Sequence, residues 1–161
     1  MVITQKEIKR LFDYRNGHLY WKISPCPTVG IGHRAGNLHP IGYRWVKYQG
    51  VRYPEHKLIF KYHHGYWPTL IDHKDRNKSN NKIGNLRECT FSQNGFNSDT
   101  RSDNTSGIKG VCWNKKNNKW LSRIMINKKS INLGYFKNLD DAKNAVMEAR
   151  NKYHGDFCNH G

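Results

Sequence analysis

Two adjacent residues near the middle of the chain carry the most chemistry. Asp72 offers an anionic oxygen to a hard divalent cation, and a neutral imidazole at His73 can take a proton from water. Metal-assisted hydrolysis of a phosphodiester needs both abilities at one point. Further on, Asn94 offers an amide oxygen as a second hard ligand. One acid and one amide leave most positions on a cation to water and phosphate oxygens. Such a cation would polarise the phosphate and stabilise a leaving 3′-oxygen. The plainer reading is that Asp72 and His73 end a strand and bind no metal.

For these residues to meet, the chain must fold back. Thr69, Leu70 and Ile71 read as an extended run that presents Asp72 and His73. Residues 74–84 are rich in Asn and Lys and read as a loop. Asn77, Asn80 and Asn81 first suggest turn formers there, because such side chains bond nearby backbone. Residues 85–89 fit a second, antiparallel strand. Thr90 with Gln93 three positions on has capping-box spacing, which puts Asn94 in the first turn of a helix. A strand–loop–strand–helix unit is therefore expected to bring Asp72, His73 and Asn94 together.

The residues before it read as a scaffold. Thr4 and Glu7 fit a capping box, and Ile8, Leu11 and Phe12 then share a helix face. Asn16-Gly17 marks a tight turn into a strand at His18 to Trp21. Residues 24–40 read as loop, and residues 42–53 as two strands around Gln49-Gly50. Arg34, Arg44 and Lys47 are candidate phosphate contacts. Residues 55–65 read as a helix with Leu58, Ile59 and Tyr62 on one stripe, and His56 at its start suits packing better than catalysis.

Residues 97–107 are polar without an apolar period, which suggests a linker or a basic arm. Residues 108–156 read as a second unit. Three strands are expected at 108–114, 119–127 and 130–136, with turns at 115–118 and 127–129. A helix follows, with Asn138 as cap and Asp140 and Asp141 in its first turn. Its apolar stripe is Leu139, Ala142, Ala145, Val146, Ala149 and Tyr153, and Gly155 stops it. On the middle strand Trp120, Ser122, Ile124 and Ile126 share one face, and Lys119, Leu121, Arg123 and Met125 the other. Ile131 and Leu133 are expected in the core, with Ser130 and Asn132 outward.

The 161 residues allow one ordinary domain or two small ones. The net charge is +16. Residues 1–99 carry 16 basic and 7 acidic side chains, and residues 100–161 carry 12 and 5. Both parts are basic, so the charge is not one tail, and a polyanion partner is expected. Cys26, Cys89, Cys112 and Cys158 form no C-x-x-C pair and are too widely spaced for a disulfide framework, so no structural zinc is expected. No leader pattern and no membrane-spanning apolar run is seen. The expected location is intracellular and not secreted, with no membrane partner.

The segment from Glu55 to Asn97 resembles the HNH endonucleases, the ββα-metal fold of many phage homing enzymes. The resemblance rests on His56-Lys57-Leu58, Asp72-His73, Asn77, Asn80-Asn81, Asn85-Leu86-Arg87, Thr90 and Asn94. It implies that Asp72 binds metal, that His73 is the general base, and that Asn85 braces the loop and orients the histidine. It implies Asn94 as second metal ligand, making this an H-N-N variant. An amide oxygen in that place favours one divalent Mg2+ or Mn2+ over zinc. The location would be a host bacterial cytoplasm if the chain is of phage origin.

The second unit resembles the Apetala2-type DNA-binding domain, in which a three-stranded sheet enters the major groove and a helix supports it. Ser106-Gly107, Lys109-Gly110-Val111, Lys119-Trp120, Leu133-Gly134-Tyr135-Phe136, Ala142, Ala145 and Tyr153-His154-Gly155 carry that resemblance. It points to Lys109, Asn114, Arg123, Met125, Ser130, Asn132 and Tyr135 as DNA-facing. Arg123 and Asn132 can make bidentate base contacts, while Lys109, Lys115, Lys116 and Lys119 suit phosphates.

The expected fold class is α+β: an HNH nuclease domain over 1–97 with its core at 55–97, a linker at 98–107, and a three-stranded antiparallel sheet with a helix over 108–158. The expected activity is metal-dependent endonucleolytic cleavage of double-stranded DNA, leaving 5′-phosphate and 3′-hydroxyl ends. A monomer is compatible with all of this. The alternatives are a non-catalytic DNA-binding regulator and a protein that cuts or binds RNA.

Overall fold

A computed structural model describes residues 3–126 and 128–159. The chain folds as two compact units that divide between Cys89 and Thr90.

In the first unit, helix α1 (Gln5–Leu11) begins at Thr4, whose side chain accepts the Glu7 N–H at 3.2 Å. Phe12, expected on the helix face, instead opens strand β1 (Phe12–Arg15), which pairs with β2 (His18–Trp21). Asn16 and Gly17 join them at φ of 48° and 88°, the left-handed pair whose twist matches a two-residue hairpin. Strands β3 (Asn37–Leu38), β4 (Arg44–Tyr48) and β5 (Val51–Pro54) form an antiparallel sheet in that order. The short β3 lies in the stretch expected to be loop. Helix α2 (Glu55–His64) follows β5 directly and ends on Gly65 at φ 87°. Ile8, Phe12, Leu19, Val46, Leu58 and Ile59 are fully buried and form the centre of the core. Strands β6 (Ile71–His73) and β7 (Leu86–Glu88) pair antiparallel, with Asp72 opposite Arg87 and His73 opposite Leu86.

The second unit opens with helix α3 (Phe91–Phe96). Thr90 and Gln93 form the expected capping box, each side chain accepting the other's N–H. Strands β8 (Val111–Asn114), β9 (Lys119–Ile126) and β10 (Lys129–Phe136) form an antiparallel sheet in the order β10-β9-β8. Helix α4 (Leu139–His154) packs on it, setting Ala142 and Val146 against Val111 and also burying Ala149. Ser122 is fully buried on this face and donates its hydroxyl to Ala142 O at 2.7 Å. A β-carbon at Gly110 would lie 2.6 Å from Arg123 O, so only glycine admits the approach of β9 there.

Three expectations can be set beside the structure. First, where a boundary was expected at 97, the compact units divide at 89/90, and residues around the expected linker make described contacts. The Lys109 ammonium donates to Phe96 O at 2.9 Å and Ser98 O at 2.5 Å, the Phe96 ring stacks on His154, and Asn104 and Ser106 bond the carbonyls of Ile108 and Val111. Second, Ile131 is 43% exposed. It stands opposite Ile124, which is 4% exposed, so it keeps the core side of the sheet but is left largely uncovered, while Leu133, the extra residue of a register slip between Asn132 and Gly134, packs on the core as expected. Third, Tyr153 is exposed, and Arg150 takes a buried place on α4, bonding Lys109 O. Of the expected second turn, Asn127 lies outside the described residues.

Candidate active site

The site is built on β6 and β7, the loop between them, and the start of α2. Asp72 and His73 are each 5% exposed. Burying a carboxylate is unfavourable unless it is paired. Arg87, directly across the ladder, supplies the pairing: its Nε and a terminal nitrogen lie 2.7 and 2.6 Å from Asp72 Oδ2. These are charge-assisted lengths.

Removing one partner of a buried ion pair deprives the other of its counter-charge, which costs about 3–5 kcal/mol. Arg87→Ala is therefore expected to lower the unfolding free energy by about that amount, measured by urea denaturation with tryptophan fluorescence. The apolar double variant Asp72→Leu with Arg87→Met should recover most of the loss.

His73 lies among rings. His56 meets it edge-on with centroids 5.4 Å apart, and Tyr43 lies 6.1 Å away. His56 itself is buried, and burial, with smaller contributions from His73 and Lys57, lowers its pKa to about 3. It stays a neutral packing residue, as its place at a helix start suggested. The imidazole Nε2 of His73 and Asn81 Oδ1 are 2.9 Å apart in the interior. Asn81, only 1% exposed, donates its amide N–H to Glu55 Oε2 at 3.0 Å. Glu55, the first residue of α2, is fully buried and accepts the Leu19 N–H at 3.1 Å. Burial pushes its carboxyl pKa up. The Leu19 N–H, Arg34, Arg44 and Asn81 oppose that shift.

The β6–β7 loop is organised by Asp75. Its oxygens accept from Asn77 N and Asn85 Nδ2, both at 2.9 Å, and from Asn80 Nδ2 at 2.6 Å. Burial works against ionisation here, yet these amides hold the Asp75 carboxyl below its usual range. Asn85 Oδ1 accepts from Asp75 N at 3.1 Å, and Asn85 Nδ2 also reaches Asn80 O at 2.7 Å.

The two tasks expected of Asn85 are therefore divided. Asn85 braces the loop, and the amide that meets His73 is Asn81, which sequence reasoning gave only a turn-forming role. Asp75 and Glu55 were missed. Arg34 and Arg44, expected at phosphates, sit 3.8 and 3.9 Å from Glu55 Oε2.

Among the described residues no three or more His, Cys, Asp or Glu side chains gather as a metal site. The expected pair is smaller, one acid and one amide. The donor chemistry around Asp72 nonetheless fits a hard ion. A carboxylate has two oxygens and several lone pairs, so Asp72 can serve Arg87 and a cation at once. The Cys89 thiol is pushed up to about 11 by burial and then by the Asp72 charge, so it stays protonated and offers no soft thiolate. Asn94 is an exposed residue of α3, in the second unit, with its N–H bonded to Thr90 O.

The described contacts also sort the expected DNA-facing residues of the second unit. Lys109 holds the α3 carbonyls, as above. Asn114 Oδ1 accepts from Asn117 N and Asn132 Oδ1 from Gly134 N, both at 2.9 Å, so these side chains shape turn and bulge. Lys115, Lys116, Arg123 and Tyr135 are exposed, and Lys119 is half-buried.

A family described as HNH endonuclease matches residues 53–96, which span Asp72, His73, Asn85 and Asn94. The chain is also 32% identical over 88 residues to Protein 3.8 of Escherichia phage T7, covering 55% of this chain and 72% of that protein. The chain belongs to the HNH endonuclease family. The HNH match begins at the end of β5 and runs through α3, so it takes in α2, the β6–β7 pair and the capped helix in chain order. No solved structure matches the chain. No described helix is long and apolar enough to cross a membrane.

Proposed function

We propose that the protein is a metal-dependent HNH endonuclease acting on double-stranded DNA, of the homing type. The observation that carries this is the adjacent buried pair Asp72-His73 on β6, inside the matched HNH segment. In this reading Asp72 and Asn94 would hold one Mg2+ or Mn2+, which would supply Lewis-acid stabilisation of charge on the phosphate and the leaving oxygen. His73 takes the proton of the attacking water. Arg87 keeps the Asp72 carboxylate in place, and Asn85 with Asp75 holds the loop in one shape beside the imidazole. Breakage of the bond to the 3′-oxygen leaves 5′-phosphate and 3′-hydroxyl ends.

The second unit would position the enzyme through the outer face of its sheet, as an Apetala2-type module does. On that face Arg123 stands opposite Asn132, and Leu121 lies between Cys112 and Tyr135. Arg123 is the candidate for a base edge, and Lys115, Lys116 and Lys119 for phosphates. Lys109, Asn114 and Asn132 would act by shaping this surface.

The test is cleavage of supercoiled plasmid by the purified protein. Nicked or linear product is expected with Mg2+ or Mn2+, none after chelation, and its 5′ ends should accept label only after phosphatase treatment. Specific binding without cleavage in any divalent cation would favour a DNA-binding regulator instead. Preferential cleavage of RNA in direct competition would move the substrate class.

A further inference from the structure

The hydrogen bonds behind His73 can be read for direction. Glu55 is fully buried, and its two oxygens have distinct partners. Oε1 accepts the Leu19 N–H, which is a fixed backbone donor. Oε2 faces the Asn81 amide, with Arg34 and Arg44 at 3.8 and 3.9 Å. Burial works against the charged form, and the Leu19 N–H, the two guanidinium groups and Asn81 favour it; as a carboxylate, Glu55 only accepts hydrogen bonds. Asn81 must then turn its NH2 toward Glu55, and its carbonyl oxygen is left facing His73 Nε2 at 2.9 Å. A carbonyl oxygen cannot donate. The imidazole nitrogen facing it must carry the hydrogen.

We propose that Glu55, acting through Asn81, fixes the neutral imidazole of His73 with its proton on Nε2, so that Nδ1 is the atom that accepts a proton from water. Glu55 and Asn81 are positioning residues, and the reactive group is His73. The inference rests on His73 being the base only for its consequence; the tautomer itself follows from the hydrogen-bond directions. It also gives α2 a part in the site. The first residue of that helix sets the polarity of a chain that runs from the β2 backbone, through the β6–β7 loop, to β6.

The consequence for Glu55→Gln is specific. Glutamine has one acceptor and one donor end. Keeping the Leu19 N–H bonded directs its oxygen to Leu19 and its NH2 to Asn81. Asn81 must then flip, presenting its own NH2 to His73, and Nε2 must become the acceptor. The variant is expected to reverse the tautomer without removing a side chain.

The experiment is 15N NMR of the full-length protein labelled at histidine, in mildly alkaline buffer, with the His73 signals assigned by their loss in His73→Gln. In the wild type the nitrogen shifts should report a proton on Nε2. In Glu55→Gln they should report it on Nδ1, and in Asn81→Ala a mixture. Cleavage should fall in Glu55→Gln within the range of about 10²–10⁴ that a general base contributes, with DNA binding unchanged. A wild-type proton on Nδ1 overturns the proposal even if the protein cuts DNA, and this reading needs no variant to fold. An unchanged tautomer in folded Glu55→Gln also overturns it. The expected tautomers in a protein that never cuts would uphold the chain of bonds and count against the nuclease reading alone.

Discussion

His73→Ala is expected to cleave DNA about 10²–10⁴-fold more slowly than the wild type, the range that a positioned general base supplies. Binding should be little affected, because His73 is 5% exposed and contributes little to the surface that would meet DNA. The loss should appear in the single-turnover rate and not in the concentration of protein needed for half-saturation. The substitution also removes a ring that packs on His56 and Tyr43. His73→Asn and His73→Gln, which keep more of the volume, should therefore be equally inactive. If these variants cleaved as fast as the wild type, His73 would be no part of the chemistry. If they were inactive and also failed to bind DNA, the loss would be structural.

Asp72→Asn is expected to lose metal-supported turnover by about 10²-fold or more, since a bound ion supplies several kcal/mol of transition-state stabilisation. Asparagine keeps an oxygen for Arg87 while removing the negative charge, so the fold should survive better than with alanine. The loss should be partly relieved by raising the concentration of Mg2+ or Mn2+, because a neutral amide is a weaker ligand, not an absent one. Asn94→Ala should show the same metal-dependent loss with DNA binding intact. Activity of Asp72→Asn equal to the wild type at low metal concentration would mean that the carboxylate serves Arg87 alone.

How much of this was legible in the sequence depended on the range of the interactions. Local geometry was readable. Asn16-Gly17 turns the first hairpin, Thr90 and Gln93 cap α3, and Asp72 lies beside His73 on one strand. Each of these is set by residues within a few positions. What the sequence hid was made across long separations. Glu55 is an ordinary acid at a helix start until Leu19 and Asn81, 36 and 26 residues away, are folded onto it. Four asparagines in the β6–β7 loop, Asn77, Asn80, Asn81 and Asn85, look alike by type. Only burial distinguishes Asn81, which is interior, from Asn77, which is exposed. The same holds for cations. Lys109, by resemblance, and Arg34 and Arg44, by charge, were expected at phosphates, and nothing in the sequence signalled that nearby carbonyls and Glu55 would also engage them. The Ile131 error has a different origin. Alternation gave it the right face, opposite the buried Ile124, but could not tell how much of that face the helix covers.

The proposal most open to test is that Asp72 and Asn94 serve one ion used together with His73. The most direct measurement is a double-mutant cycle on single-turnover cleavage, using Asp72→Asn, Asn94→Ala and the two combined. Residues that serve one ion are non-additive. Each single variant should lose most of the metal-dependent rate, and the double variant should be no more than a few-fold slower than the worse of the two. A double variant whose loss equals the product of the single losses would contradict the account, as would wild-type cleavage by either single variant.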